Sequence, residues 1–137
     1  MAERGTALET AAAALARRDR SAAGLVAYLK RRGVDESEAR RAVERLCDAG
    51  YVNDARYASA RAEVLAGRGF GDEAVRFELE RDGLADDEIA AALGELEPER
   101  ERALDLLRTA KSPAAGARRL AAKGFSADTI ESALVHL

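Results

Sequence analysis

The chain of 137 residues has one cysteine, one histidine, two prolines, three Phe, three Tyr and no Trp. A single cysteine cannot close an intramolecular disulfide, which excludes the stapled secreted scaffolds. No run approaches the ~18 uninterrupted apolar residues of a membrane-spanning helix, so no membrane partner is expected. The opening residues, with Glu3 and Arg4 ahead of Thr6, Glu9 and Thr10, hold no secretory apolar region, so a cytoplasmic location is expected. With so few aromatics, a core must be built from Leu, Val, Ile and many Ala, which favours close helix packing over a sandwich. Almost no stretch alternates strictly enough to be a strand, so the fold class is all-α.

What is present is a repeat. Aligning Gly33, Gly83 and Gly124 brings the surrounding apolar residues into register. Four residues before each glycine stand Leu29, Leu79 and Leu120, and directly after it Val34, Leu84 and Phe125. Six after are Ala39, Ile89 and Ile130; nine after, Ala42, Ala92 and Ala133; ten after, Val43, Leu93 and Leu134. Thirteen after are Leu46, Leu96 and Leu137; eighteen before, Leu15, Leu65 and Leu106. Because 47% of the residues are hydrophobic, a column apolar in all three copies arises by chance about one time in ten, and seven in one register point to three copies of one unit.

The columns have a physical meaning. A left-handed glycine at C′ of a helix brings the following side chain onto C3, which pairs Val34 with Leu29, Leu84 with Leu79 and Phe125 with Leu120. Asp35 and Ser126 then cap the next helix, whose N4 residue meets the same apolar side chain as a hydrophobic staple. Ala85 in the second copy cannot cap by its side chain, and Asp86 and Asp87 are expected to supply only favourable charge. Ser21, Gly71 and Ser112 start the preceding helices, with Pro113 at N1 of the last, and Phe70 and Val75 form a further staple. Thr6 and Glu9 make a capping box for a helix near 7–18; Asn53 or Asp54 starts one near 55–68, and Pro98 one near 98–111.

These signals describe three tandem three-helix units, helix-turn-helix-like, with repeats at about 6–48, 54–96 and 97–137 of a single domain. Helices of about 12 residues cannot bury their apolar stripes alone, so the repeats are expected to stack into an elongated, curved array of about nine helices.

Few residues invite a chemical role. His136 is expected to be solvated, and Cys47 core or half-buried; a metal cluster or a Cys-His dyad has no support. Gly67 to Gly71 meets neither the Walker nor the dinucleotide spacing and reads as a flexible interhelical turn. No catalytic residue, cofactor or metal is expected.

Charge divides unevenly. Residues 1–46 hold ten basic and seven acidic side chains, residues 47–96 five and twelve, and residues 97–137 seven and six: net +3, −7 and +1. The positives of the first unit are Arg17, Arg18 and Arg20, then Lys30, Arg31 and Arg32, then Arg40, Arg41 and Arg45. They could track phosphate, although helix C-termini also attract cations. A helix-turn-helix around Gly33 presenting Arg40 and Arg41 to a major groove is the alternative DNA-binding reading, opposed by the acidity of the second unit. A scaffold for an unrelated partner is a third.

The segment from Ser21 to Leu46, SAAGLVAYLKRRGVDESEARRAVERL, with the continuation Gly50-Tyr51-Val52-Asn53-Asp54-Ala55-Arg56-Tyr57-Ala58, resembles the RecX family of bacterial recombination regulators. That family places a basic helix ending in Arg-Arg-Gly before an acidic cap, then a second helix. A Gly-Tyr-hydrophobic-Asn/Asp-Asp-x-Arg-Tyr/Phe-Ala stretch and two further three-helix units follow. The resemblance runs from about Leu15 to Leu137. It implies a monomeric regulator in recombination, DNA repair and the SOS response, which lies in the groove of the RecA filament on single-stranded DNA and suppresses ATP hydrolysis and strand exchange. It implies contact with single-stranded DNA that is indirect or weak.

The helix after Gly71, Asp72-Glu73-Ala74-Val75-Arg76-Phe77-Glu78-Leu79-Glu80, departs from the many relatives that are basic there. The acidic middle is therefore expected to face basic protein surface, and the first unit to lie nearer phosphate or acidic side chains. The partner-facing or DNA-facing candidates are Lys30, Arg31, Arg32, Arg40, Arg41, Arg45 and Arg56. Gly33, Gly83, Gly124, Tyr51, Asp54 and Tyr57 are the structural positions. Tyr51 and Tyr57 are expected to pack the first junction, Asp54 to cap the helix it begins, and Arg56 to find a neighbouring acid.

Overall fold

A computed structural model describes residues 5–137; Glu3 and Arg4, on which part of the reading of the opening segment rests, lie outside them. The described residues form nine α-helices and no strand: α1 (Ala7–Arg17), α2 (Ala22–Arg31), α3 (Glu36–Asp48), α4 (Asp54–Gly67), α5 (Asp72–Arg81), α6 (Asp86–Glu95), α7 (Glu99–Arg108), α8 (Pro113–Ala122) and α9 (Ala127–Val135). None is long and apolar enough to cross a membrane. The chain divides into two compact units. One runs up to Tyr57 and includes Asp82–Leu84; the other comprises Ala58–Arg81 and Ala85–Leu137.

The helix ends follow from the residues that set them. Gly33, Gly83 and Gly124 have φ of 87°, 78° and 90°, where a side chain is disfavoured by about 1–2 kcal/mol. At Gly33 the Val34 N–H donates to Leu29 O at 3.0 Å and the Gly33 N–H to Lys30 O at 3.0 Å; Phe125 to Leu120 and Gly124 to Ala121 repeat this pattern. Gly50 and Gly69, which the three-fold register does not single out, close α3 and α4 in the same way. Downstream, Asp35 accepts from the Ser37 N–H and Ser126 from the Thr129 N–H. In the second copy Glu88 reaches back to the Ala85 N–H at 3.0 Å, a cap that Asp86 and Asp87 were expected to replace by charge alone. Helix α7 ends at Arg108, short of the expected 111. Ser112 must be extended to cap α8 and precede Pro113, so the chain leaves α7 to reach it.

In the first unit α1, α2 and α3 pack pairwise around Ala11, Ala14, Leu25, Leu29, Ala39 and Val43. In the second, α7, α8 and α9 do the same around Ala103, Leu107, Leu120, Phe125 and Ala133, and α5 packs on α6. The alanines let the helix axes approach, and each fully buried Leu contributes about 1.5–3 kcal/mol relative to exposure. Leu106 and Leu137 depart from their columns, at 37% and 50% exposed. Leu106 lies in the last turn of the shortened α7 and Leu137 beyond the end of α9.

A recurrent contact is made by the glycine turns. In the first unit the Asp82–Leu84 turn meets the start of α2: a Cβ on Gly83 would lie 2.4 Å from Ala23 Cβ, and the Ser21 hydroxyl donates to Asp82 O at 2.6 Å. In the second the Gly124 turn meets the start of α5, where the Gly71 and Glu73 N–H groups donate to Lys123 O and Gly124 O. A Cβ on Gly71 would lie 2.5 Å from Gly124 O. The expected flexible turn at Gly67 to Gly71 therefore ends in a buried, tightly fitted glycine.

Candidate functional site

The cations of the first unit sort themselves by partner. Lys30 Nζ lies 2.6 Å from Glu36 Oε1, and Arg40 Nε 3.7 Å from the other oxygen of the same carboxylate. Hydrogen bonding from Lys30, then the fields of Lys30 and Arg40, holds the Glu36 carboxyl below its usual range. Asp35 is also lowered, by the Ser37 hydroxyl and N–H that bind it, so the start of α3 carries firmly ionised carboxylates. Arg31, Arg41 and Arg45 are exposed and, among the described residues, have no carboxylate within ion-pair distance.

Arg56 finds the acid it was expected to find. Its Nη2 lies 3.3 Å from Asp19 Oδ1, and it donates further to Tyr51 O at 3.2 Å and Gly50 O at 3.5 Å. This candidate for partner contact therefore ties the turn after α3 to the link between α1 and α2. Asp54 was expected to cap its own helix; instead Asn53 Oδ1 accepts from the Arg56 N–H, and Asp54 Oδ1 accepts from the Ala22 N–H at 2.8 Å. The aspartate is thus a long-range cap for the first turn of α2. Tyr57 donates to Asp82 Oδ2 at 2.9 Å, in keeping with a role in the junction. Tyr51 does not pack it: the side chain is 67% exposed, at the mouth of an open hollow lined by Ala12, Leu15 and Leu46.

The arginines without a carboxylate include three that gather on one ring. Helix α1 ends at Arg17, an extended link carries Arg18, Asp19 and Arg20 to the Ser21 cap, and α2 ends one turn beyond Tyr28 at Arg31 and Arg32. The guanidinium carbons of Arg20, Arg32 and Arg17 therefore lie 4.4, 4.9 and 5.9 Å from the centroid of the Tyr28 ring. These are cation–π distances. Arg17 also donates to the Tyr28 hydroxyl at 2.6 Å. Desolvation pulls the Arg20 guanidinium below its ordinary pKa, and Arg18, Arg17 and Arg31 push the same way, with only Tyr28 opposing. Desolvation would raise the Tyr28 phenol, but the Arg17 hydrogen bond and the fields of Arg17, Arg32 and Arg20 outweigh it and hold the pKa down. The Arg20 Nε–H is buried and has no hydrogen-bond partner.

Sequence reasoning saw the three arginines as charge but not the tyrosine that collects them. The one available signal is the position of Tyr28 four residues before Arg32, which puts that pair on one helix face; the approach of Arg17 and Arg20 has none.

The remaining candidates are not brought together. Cys47, expected to be core or half-buried, is instead exposed on the last turn of α3; partial desolvation, then Asp54, Asp48 and Glu44, push its thiol pKa up, away from reactivity. His136 is exposed, with Nδ1 2.8 Å from Ser132 O. Among the described residues no group of His, Cys, Asp and Glu is arranged to hold a metal ion. The surface of the first unit can therefore hold anions, by charge and by forked N–H donors.

Comparison with known proteins gives a consistent picture. Residues 7–46 match the first three-helix domain of RecX and residues 53–93 the second. A Regulatory protein RecX of Stenotrophomonas maltophilia (strain R551-3) is 36% identical over 138 aligned positions, covering 93% of this chain and 85% of that protein. One from Xanthomonas axonopodis pv. citri (strain 306) is 38% identical over 104 positions, covering 75% of this chain and 64% of the relative, so less than two thirds of its length. Among solved structures, RecX from Lactobacillus salivarius superposes with a TM-score of 0.81 at 19% identity, covering 96% of this chain and 94% of that one. A second regulatory protein RecX gives 0.78 at 22% identity, covering 92% and 70%. At those identities the structures speak for the all-helical fold.

Proposed function

The chain belongs to the RecX family of regulatory proteins, and from that premise we propose that it binds the RecA filament assembled on single-stranded DNA and lowers its ATP hydrolysis and strand exchange. In this reading it is a cytoplasmic monomer without catalytic activity of its own. The observation that carries it is the concentration of carboxylate-free arginines on the first unit, in a chain whose net charge is −3. A surface of that kind seeks an anionic partner, and the residues proposed to meet it are Arg31, Arg32, Arg41 and Arg45, with Lys30 and Arg40 alongside as members of the Glu36 network. Arg56, engaged by Asp19, has a structural role in this reading.

Tandem units suit a polymeric partner, because several weak contacts on one chain combine through effective concentration. The acidic second copy, net −7 over residues 47–96, fits basic protein surface better than phosphate. The test is RecA ATP hydrolysis on single-stranded DNA with increasing amounts of this protein. A progressive fall is expected; turnover unchanged at several-fold excess would overturn the proposal. The alternative, a helix-turn-helix reader of duplex DNA, is favoured by the exposed Arg41 on α3, which follows the Gly33 turn. It requires site-selective duplex binding, and weak, salt-sensitive binding without site preference removes it.

A further inference from the structure

The cluster around Tyr28 combines two properties: its arginines have no carboxylate partner, as Arg41 and Arg45 have none, and they are gathered on a single ring. Lys30 and Arg40 share Glu36, and Arg56 is held by Asp19. Arg17, Arg20 and Arg32 instead surround one ring with no carboxylate among the described residues at ion-pair distance, and Arg18 and Arg31 flank them in the chain. Asp19 is the acid closest in sequence, and it is occupied by the Arg56 guanidinium and the Arg20 N–H.

Assembling like charges costs free energy, and a buried N–H without an acceptor adds to it. Two helix C-termini, each equivalent to roughly half a negative charge, offset only part of three to five guanidinium charges. The cation–π contacts and the Arg17 hydrogen bond to the phenol hold the groups in place without neutralising them. The result is a preorganised set of forked donors gathered where they can converge on one anion. A single carboxylate offers one charge, whereas a nucleic-acid strand offers a phosphate at every step, each with several acceptor oxygens. The density of guanidinium groups matches the second.

We propose that Arg17, Arg20 and Arg32, positioned by Tyr28, form a phosphate-binding cradle through which this protein holds a single nucleic-acid strand directly, without RecA. Tyr28 acts as a positioning residue: its ring sets where the guanidinium groups sit, and its hydroxyl fixes Arg17. The cradle lies on the surface proposed above to meet the filament but does not depend on that reading, since it makes a contact the protein can form alone.

The test is the anisotropy of a fluorescent single-stranded oligothymidylate titrated with the full chain across a salt series, with no recombinase present. Failure there would leave the filament proposal standing, and failure of the ATPase test would leave this one standing. The double variant Arg17→Gln/Arg20→Gln is expected to weaken binding about tenfold at low salt and to make the slope of log K against log salt shallower by about 1.4, the value for two phosphate contacts on a single strand. Tyr28→Leu keeps every charge and is expected to weaken binding several-fold with that slope nearly unchanged, an effect that loss of charge cannot produce. Tyr28→Phe, which keeps the ring, is expected to retain most of the affinity. Helicity by circular dichroism is expected to be unchanged in all three, since Arg17 is exposed, Arg20 is half-buried, and Tyr28 packs only on the edge of the core, where Leu or Phe keeps the apolar contact. Wild-type protein that fails to bind the strand, a double variant that binds as tightly as wild type, or displacement of the strand by oligoglutamate at equal charge would each overturn the proposal. The last result would make the cradle a carboxylate site.

Discussion

Replacing Arg102 by Met probes the least expected part of the second unit. Arg102 sits on α7 at 9% exposure, donates Nε to Glu97 O at 2.8 Å and Nη1 to Phe70 O at 3.0 Å, and pairs through Nη2 with Asp72 at the start of α5. Met keeps most of the stem but removes the charge and all three bonds. Breaking one partner of a buried pair costs about 3–5 kcal/mol, and the Asp72 side chain, 38% exposed, keeps water, which places the loss near the lower end, about 3 kcal/mol. With a urea m-value of about 1.5 kcal/mol/M for a chain of this size, the midpoint should fall by about 2 M, followed by circular dichroism at 222 nm. Arg100→Met, on the same helix but exposed, serves as the reference and should change stability by less than about 0.5 kcal/mol. Arg102→Lys should recover only part of the loss, because one ammonium cannot reach two carbonyls and a carboxylate at fork geometry. If Arg102→Met falls within the range of the Arg100 variant, the reasoning about this buried arginine is wrong.

Leu79→Ala, at a fully buried position of the repeat register, should cost about 2–5 kcal/mol in urea unfolding; a loss under ~0.5 kcal/mol would break the register. Gly124→Ala should destabilise by about 2–4 kcal/mol, combining left-handed strain with an overlap at 2.6 Å from Ala74 Cβ, and a neutral result would contradict the fitted turn. Asp35 and Glu36 have folded-state pKa values below their unfolded ones, so their contribution is complete above the ordinary carboxylate range and disappears as pH falls through the lowered values. Glu36→Gln should accordingly flatten the acid side of a stability-against-pH curve, and a curve of unchanged shape would show that the Lys30–Glu36 pair contributes nothing. Reversing Arg31, Arg32, Arg40 and Arg41 to Glu should weaken binding to the RecA filament while leaving helicity intact; unchanged affinity would remove the first unit as the contact.

Much of the fold is legible in the sequence because its signals are local. A glycine at C′, the apolar residue after it and a cap one position later lie within a few residues of one another, so Gly33-Val34-Asp35 and Gly124-Phe125-Ser126 announce a turn before any tertiary contact is considered. The errors arise where a side chain answers to a distant partner. Asp54 stands where a cap belongs and caps α2 instead; Arg102, which no motif or column singles out, is buried against Phe70 O and Asp72. Leu106 and Leu137 satisfy the periodic pattern but sit at helix ends, where the stripe has no neighbour to cover it. The basic surface was legible as charge alone. The division between neutralised cations, at Glu36 and Asp19, and open ones, around Tyr28, depends on which helix ends converge, which no spacing rule states.

Co-sedimentation of the full chain with RecA, with and without a single-stranded oligonucleotide, examines partner and nucleic-acid requirement together. The protein should pellet with RecA only when the oligonucleotide is present, in an amount that saturates as RecA sites fill. Protein that remains in the supernatant with RecA and oligonucleotide both present would contradict a regulator of the filament.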